Sequence, residues 1–153
     1  MSTIHLSQLT TASPELFLAG LTDFGPERAK LFGRSANEYL RVHDQGPGHA
    51  DVTEGSGGVW ERLSYDWSDP ARVVMKTTDS NTWGGASGHT YTFTRLADGT
   101  TRIDAVVVRE GKNLKGRLLG GLLGLVGKRV LGGELAKTAK AVEARHAGVR
   151  DDG

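Results

Sequence analysis

Glu61 is the residue whose position most suggests chemistry. Alternate residues of a strand share one face, which places Glu61 in register with the apolar residues Leu63 and Tyr65. A carboxylate among apolar side chains needs a partner or a raised pKa. Arg109 is the candidate partner. With His89, this group could orient a ligand or move protons, or it could form a structural ion pair at the rim of a cavity.

Other chemistry-bearing patterns are missing from the sequence. It contains no HExxH motif, no GxSxG motif and no cysteine to act as a nucleophile or thiolate ligand. Four histidines lack zinc-site spacing and are interpreted as surface or structural residues: His5, His43, His49 and His146. The glycine-rich run Gly84–Gly88 lacks the lysine and following helix of a phosphate loop, so we interpret it as flexible. We therefore expect no metal and no cofactor.

Turn signals and periodicity predict the elements that position these residues. Ser13 followed by Pro14 is typical of a helix start, which predicts a helix over residues 14–22. A second short helix is predicted to end near Phe32, with Gly33 as its cap. Seven strands are predicted, over residues 3–11, 37–45, 49–54, 58–68, 71–79, 88–97 and 100–110.

The hairpin between the last two strands has two possible registers. A two-residue loop at Asp98 and Gly99 would turn Asp104, Val106 and Val108 inward. A three-residue bulged loop would instead turn inward Ile103, Ala105, Val107 and Arg109. We favour the second register because its inward run is more apolar.

The longest helical pattern runs from Lys112 to His146. Its first half carries an apolar stripe: Leu118, Leu119, Leu122, Leu123, Val126 and Val130. A later stripe that begins at Leu131 points to the opposite side of a straight helix. We therefore expect a kink, an irregular turn or two helical pieces at Gly132 and Gly133.

The same stretch has two features of membrane-associated helices. Gly116, Gly120 and Gly124 have the spacing with which transmembrane helices pack, but the uncharged run from 118 to 126 is far shorter than the roughly 20 residues that a span requires. Residues 112–129 also include lysines and arginines without an acidic residue. This leaves open a weak peripheral contact with an anionic membrane, beside the alternative of a solvated helix face.

Length and composition limit the class of protein to which the chain can belong. The 153 residues fit one domain, predicted over 1–150, with a frayed tail at 151–153. The 19 lysines and arginines balance 18 acidic residues, so we expect no nucleic-acid partner. The lack of cysteine and of a secretory-signal pattern leads us to expect a cytoplasmic location. The sequence does not indicate an oligomeric state.

Three runs carry a resemblance to a known family: the opening strand leading into Ala12–Phe17, the run Trp60–Trp67, and the hairpin Asp98–Arg102 before the long helix. The chain resembles the START-like, or SRPBCC, helix-grip superfamily over nearly its whole length. The superfamily includes pollen allergens, lipid-transfer domains and bacterial polyketide cyclases and dehydrases. The resemblance implies an α+β fold, with a curved seven-stranded antiparallel sheet wrapped around the C-terminal helix and two short helices between strands 1 and 2. It also implies an apolar cavity between sheet and helix that binds a hydrophobic small molecule.

Inward-facing residues of the predicted strands could line such a cavity. The expected ligand-binding residues are Leu40, Val42, Leu63, Tyr65, Trp67, Met75, Trp83, Tyr91, Phe93, Val107, Leu122 and Val126. The same side chains could instead form an ordinary core, and Trp83 could close the cavity mouth or anchor its loop. We expect a binding protein for a lipid or polyketide-like molecule. The alternative is a cyclase, aromatase or dehydrase-like enzyme that uses Glu61 or His89 for proton transfer and Arg109 to hold an anionic oxygen.

Overall fold

The fold is an open seven-stranded antiparallel sheet packed against a long C-terminal helix. The computed structural model describes residues 1–32 and 38–151. Its elements in chain order are β1 (Ser2–Thr10), α1 (Pro14–Leu21), α2 (Arg28–Phe32), β2 (Arg41–Gly46), β3 (His49–Ser56), β4 (Val59–Asp66), β5 (Arg72–Ser80), β6 (Gly88–Arg95), β7 (Thr101–Arg109) and α3 (Leu114–Asp151). The strand order is β1-β7-β6-β5-β4-β3-β2, and α3 packs along β1 and against α1 and α2. This architecture is the predicted α+β helix-grip fold.

The first helix begins as its sequence predicts. The Ser13 side chain accepts a hydrogen bond from the Leu16 backbone N–H, and Pro14 occupies the first turn. The predicted Gly33 cap of α2 and the predicted strand start at Asn37 lie outside the described residues, as do the last two residues of the predicted tail. Among the described residues, β2 begins at Arg41.

The β6–β7 hairpin has the three-residue bulged loop that the more apolar inward run predicts. Arg95 pairs with Thr101, the Leu96 N–H donates to the Thr100 carbonyl at 2.8 Å, and Gly99 has a φ of +88°. The inward residues of β7 are accordingly buried: Ile103, Ala105, Val107 and Arg109. The register of the hairpin therefore places the side chain of Arg109 in the interior.

The helix α3 is continuous from Leu114 to Asp151, so the irregular turn or division into two helical pieces expected at Gly132 and Gly133 is wrong. In the first half of the helix, glycines make the closest approach to the rest of the protein. A Cβ on Gly116 would lie 2.3 Å from the Thr82 carbonyl oxygen, and a Cβ on Gly127 would lie 2.7 Å from Ile4 Cδ1. This glycine face continues into the buried side chains of the second half: Leu135, Ala139 and Val142. One unbroken face meets the rest of the protein, so no turn is needed to redirect it.

The core lies between the concave sheet and the three helices. Phe17 and Phe93 pack with ring centroids 5.7 Å apart and join α1 to the sheet. The edge of the sheet formed by β2 is not covered in this way. Among the described strands, β2 is the edge strand next to β3. It is solvent-exposed over most of its length, and Val42 is 40% exposed. The expected inward position of Val42 is therefore wrong, because this edge extends beyond the cover of the helices.

Candidate functional site

Two adjoining cavities lie between the sheet and the helices. Their volumes are about 350 Å³ and about 180 Å³. The larger falls within the range of about 300–1,000 Å³ that is usual for ligand sites. Both cavities are lined by Leu21, Phe32, His89, Tyr91 and Leu131. The larger cavity also extends to the tip of the β3–β4 hairpin, at residues 54–60.

Some of the expected ligand-binding residues do line these cavities. Those that line the larger one are Tyr65, Met75, Trp83 and Tyr91. Tyr91 and Val107 line the smaller one. The three expected polar residues, Glu61, His89 and Arg109, all lie in the wall of the larger cavity.

The other expected lining residues lie elsewhere. Leu63 and Phe93 are core residues, and Leu40 and Trp67 pack against the core. Three are exposed to solvent: Val42, Leu122 and Val126. Leu122 and Val126 are 55% and 45% exposed, because they lie on the side of α3 opposite the glycines that pack on the sheet. Their expected place in the cavity is wrong. From α3, Leu131 lines both cavities instead, and Glu134, Leu135 and Thr138 line the smaller one.

The polar group predicted around Glu61 is present. Arg109 donates from Nη1 to Glu61 Oε2 at 2.8 Å and from Nη2 to Oε1 at 3.0 Å. Its guanidinium carbon also lies 5.1 Å from the ring centroid of Trp83. The strands β4, β6 and β7 thus bring Glu61, His89 and Arg109 together from well-separated parts of the sequence.

The contact between Arg109 and His89 fixes the form of the imidazole. Arg109 Nη2 lies 2.8 Å from His89 Nε2, and a guanidinium can only donate. Nε2 is therefore the acceptor, and the ring carries its proton on Nδ1. The distance from Nε2 to Glu61 Oε1 is 3.8 Å, too long for a hydrogen bond. Arg109 is thus the cation that pairs with Glu61.

The carboxyl of Glu61 is held in its ionised form. Burial alone would raise its pKa, but the paired guanidinium of Arg109 lowers it by more, and the pKa lies far below the ordinary value. Glu61 is therefore a permanent anion near neutral pH. It holds Arg109 in place and is poorly suited to exchange protons as a general base.

A second polar cluster, which the sequence analysis missed, borders the same cavity. Arg28 is 2% exposed and donates to Glu54 Oε2 at 2.9 Å and to the Tyr65 hydroxyl at 3.0 Å. Tyr65 donates to Glu54 Oε1 at 2.6 Å. The guanidinium lies over the rings of Phe24 and Phe32. Burial and the neighbouring carboxylate raise the pKa of Tyr65 well above its ordinary value, so its hydroxyl stays protonated.

One sequence signal could have revealed this cluster. Ala50, Val52 and Glu54 alternate along β3, so Glu54 shares a face with two apolar residues, as Glu61 does in β4. Nothing comparable marks Arg28. It lies in a five-residue helix beside Glu27 and Lys30, where an exposed charge is the ordinary expectation.

Tyr91 offers a polar group that the described residues leave unused. It lines both cavities, and its hydroxyl has no hydrogen-bond partner among residues 1–32 and 38–151. Burial raises its pKa to about 12, and Glu54 adds to the shift. The hydroxyl is therefore neutral and free to donate to a bound molecule.

Trp83 anchors the β5–β6 loop. It is buried, and it pairs with Gly111 in an isolated β-bridge. Ser80 Oγ accepts hydrogen bonds from the Thr82 and Trp83 N–H groups, and Glu110 Oε2 accepts from the Ala86 N–H. The loop that the sequence suggested was flexible is thus tied at several points.

Among the described parts of the chain, no set of three or more histidine, aspartate or glutamate side chains is arranged to hold a metal ion. Across residues 1–32 and 38–151, no helix combines the length and apolar character needed to cross a bilayer.

Comparison with known proteins identifies the class of fold. No family model and no curated protein matches the sequence. The Zhui aromatase/cyclase from a Streptomyces species matches with a TM-score of 0.71 at 14% identity, over 91% of this chain and 92% of that one. A START superfamily protein from Mycobacterium smegmatis matches with a TM-score of 0.66 at 12% identity, over 97% and 99%. A protein of Thermus thermophilus matches with a TM-score of 0.68 at 16% identity, over 96% and 98%. The chain therefore has the START-like helix-grip fold.

Proposed function

We propose that this chain binds a neutral, hydrophobic small molecule that carries hydroxyl or carbonyl oxygens, held in the paired cavities between the sheet and α3. The observation that carries the proposal is the cavity wall. It is mostly apolar, it includes the aromatic rings of Tyr65, Trp83 and Tyr91, and a few polar groups converge on it.

The charges in the wall favour a neutral ligand over a fatty-acid carboxylate. Arg28 is paired with Glu54, and Arg109 is paired with Glu61. Each guanidinium is thus already neutralised by a carboxylate of the protein. A ligand carboxylate would meet the acidic partner as well as the arginine, and it would lose its hydration without gaining a free cation.

The free hydroxyl of Tyr91 supplies the polar contact. A carbonyl or hydroxyl oxygen on the ligand could accept its proton, while the aromatic walls of the cavity suit flat rings. The fold supports the same class of ligand, because one protein with a similar fold is named as an aromatase/cyclase. A polyketide-like aromatic molecule combines these properties, and a neutral lipid shares some of them.

Ligand binding is tested on the purified full chain by native mass spectrometry and by thermal-shift measurements. The probes are a flat polycyclic phenol, a neutral sterol and a fatty acid of similar size. We expect the phenol or the sterol to raise the melting temperature and the fatty acid to have a smaller effect. No bound species and no shift with any probe would contradict the proposal.

A second candidate function is favoured by one observation, the position of His89 and Tyr91 in the wall of both cavities. In a cyclase or dehydrase-like enzyme, His89 would give up its contact with Arg109 and accept the proton at Nε2, and Tyr91 would donate to the developing oxyanion. Arg109 is less suited to hold that oxyanion, because Glu61 occupies both ends of its guanidinium.

The test of this candidate compares binding with turnover of a linear polyketide-like substrate. We expect His89→Gln to keep probe affinity and to abolish conversion. If the wild-type chain binds the substrate and returns it unchanged, the enzymatic candidate is rejected and the binding function remains.

A further inference from the structure

The outer face of α3 is an apolar surface that the fold leaves uncovered. Large apolar side chains recur there at intervals of three or four residues or adjoin each other. We call them the leucine face: Leu114, Leu118, Leu122, Leu125 and Val126. At about 100° per residue they fall within an arc of roughly 120°, and Leu125 is 86% exposed. A contiguous apolar face on a helix that is already packed by its other side marks an interaction surface.

Unpaired cations surround the leucine face. Lys115, Arg117, Lys128 and Arg129 are exposed and form no ion pair with the residues that the structure describes. The sequence has no acidic residue between Glu110 and Glu134 to offset them. Long basic side chains can lay their methylene groups over apolar surface and keep their charges at its edge.

We propose that the leucine face docks onto an anionic lipid bilayer, with α3 lying in the plane of the membrane surface. Apolar side chains would enter the boundary between headgroups and acyl chains, and the flanking cations would meet the negatively charged headgroups. The glycines that face the sheet let α3 pack closely on β1, which leaves its large side chains free for this contact.

The charges favour a bilayer over a second copy of the chain. A two-fold dimer through the leucine face would set the face against itself. Lys115 and Arg129 of one copy would then approach the same cations of the other, with no carboxylate nearby on the helix to relieve the repulsion. An anionic surface supplies that opposite charge.

Vesicle co-sedimentation of the full chain tests the proposal, with phosphatidylcholine vesicles that contain or lack phosphatidylserine. We expect sedimentation only with phosphatidylserine, and we expect salt to weaken it. The variant Leu118→Gln/Leu122→Gln/Leu125→Gln should lose binding by about tenfold or more, as should Lys115→Glu/Arg129→Glu. Matched controls at exposed sites elsewhere, Leu9→Gln and Lys137→Glu/Lys140→Glu, should bind as the wild type does. Circular dichroism verifies that every variant is folded.

Three results would overturn the proposal. One is no sedimentation of the wild type with anionic vesicles. Another is full binding by the triple glutamine variant, which would show charge attraction without docking of the leucine face. The third is a dimer in light scattering that the triple variant converts to a monomer, without vesicle binding, which would assign the face to a second copy.

Discussion

Arg109 holds Glu61 with both ends of its guanidinium, at 2.8 Å and 3.0 Å, inside the wall of the larger cavity. Both side chains are largely shielded from water. The pair joins the strands β4 and β7, which are not neighbours in the sheet. It therefore contributes to the shape of the cavity as well as to its charge.

Removing one partner of this pair should be costly. Arg109→Met would leave Glu61 buried without its cation, and we expect a loss of about 3–5 kcal/mol in the free energy of unfolding, measured by urea denaturation. The double variant Glu61→Leu/Arg109→Met should recover a large part of that loss. Arg95→Met breaks an exposed ion pair with Glu15 and serves as the control, with little expected effect. Equal stabilities of Arg109→Met and Arg95→Met would contradict this account.

The pH dependence of the unfolding free energy should show the ionisation of Glu61. The pKa of Glu61 is lower in the folded chain than its ordinary value of 4.5, so its ionised form stabilises the fold above that pH. The contribution is lost as the pH falls below about 4.5. We expect the difference in unfolding free energy between the wild type and Glu61→Gln to be largest near pH 7 and to shrink in acid. A difference that stays constant between neutral and acidic pH would show that the charge of Glu61 does not matter.

Loss of the hydroxyl should lower the stability of the protein at Tyr65 and its affinity for the ligand at Tyr91. Tyr65→Phe removes a buried group that bonds both Arg28 and Glu54, and we expect a loss of about 1–3 kcal/mol in the free energy of unfolding. Tyr91→Phe removes a hydroxyl that has no partner among the described residues, so stability should change little. Its affinity for the phenol probe should fall by roughly 2- to 10-fold. Calorimetric titration and urea denaturation of both variants provide the measurements, and identical behaviour would contradict the assigned roles.

Two glycines of α3 make a matched pair for the packing of the helix. A Cβ added at Gly121 would have no atom within 4 Å, so Gly121→Ala should stabilise the protein by up to about 1 kcal/mol through helix propensity. At Gly116 the added Cβ would meet the Thr82 carbonyl oxygen, and Gly116→Ala should destabilise despite the same gain in propensity. Thermal unfolding distinguishes the two. Stabilisation by both substitutions would mean that α3 does not approach the sheet this closely.

The sequence predicts local structure well because local signals decide it. Ser13 begins α1, and the apolar alternation of β7 selects the register that brings Arg109 inward. The packing of α3 was not predictable in this way. Periodicity shows that α3 has a face rich in leucine and a face rich in glycine. The ordinary expectation is that the larger side chains are buried. In the structure the glycine-rich face turns inward, because glycine lets the helix backbone approach the sheet closely.

Contacts between distant residues were partly predictable. Glu61 stands out in an apolar register and Arg109 is the cation that the favoured hairpin register turns inward, so their pairing could be inferred. Arg28 has no such context, and its contacts with Glu54 and Tyr65 span 26 and 37 residues. They depend on where α2 sits above the sheet, which the residues of a five-residue helix do not determine.

The central claim is that the paired cavities hold the ligand, and one pair of substitutions tests it most directly. Leu131 lines both cavities, and Leu122 lies on the same helix but faces solvent. Fluorescence titration with the flat polycyclic phenol should show that Leu131→Trp weakens binding, because the larger indole takes up part of the space where the two cavities adjoin, while Leu122→Trp binds as the wild type does. Thermal unfolding verifies that both variants are folded. Unchanged affinity in folded Leu131→Trp would contradict the account.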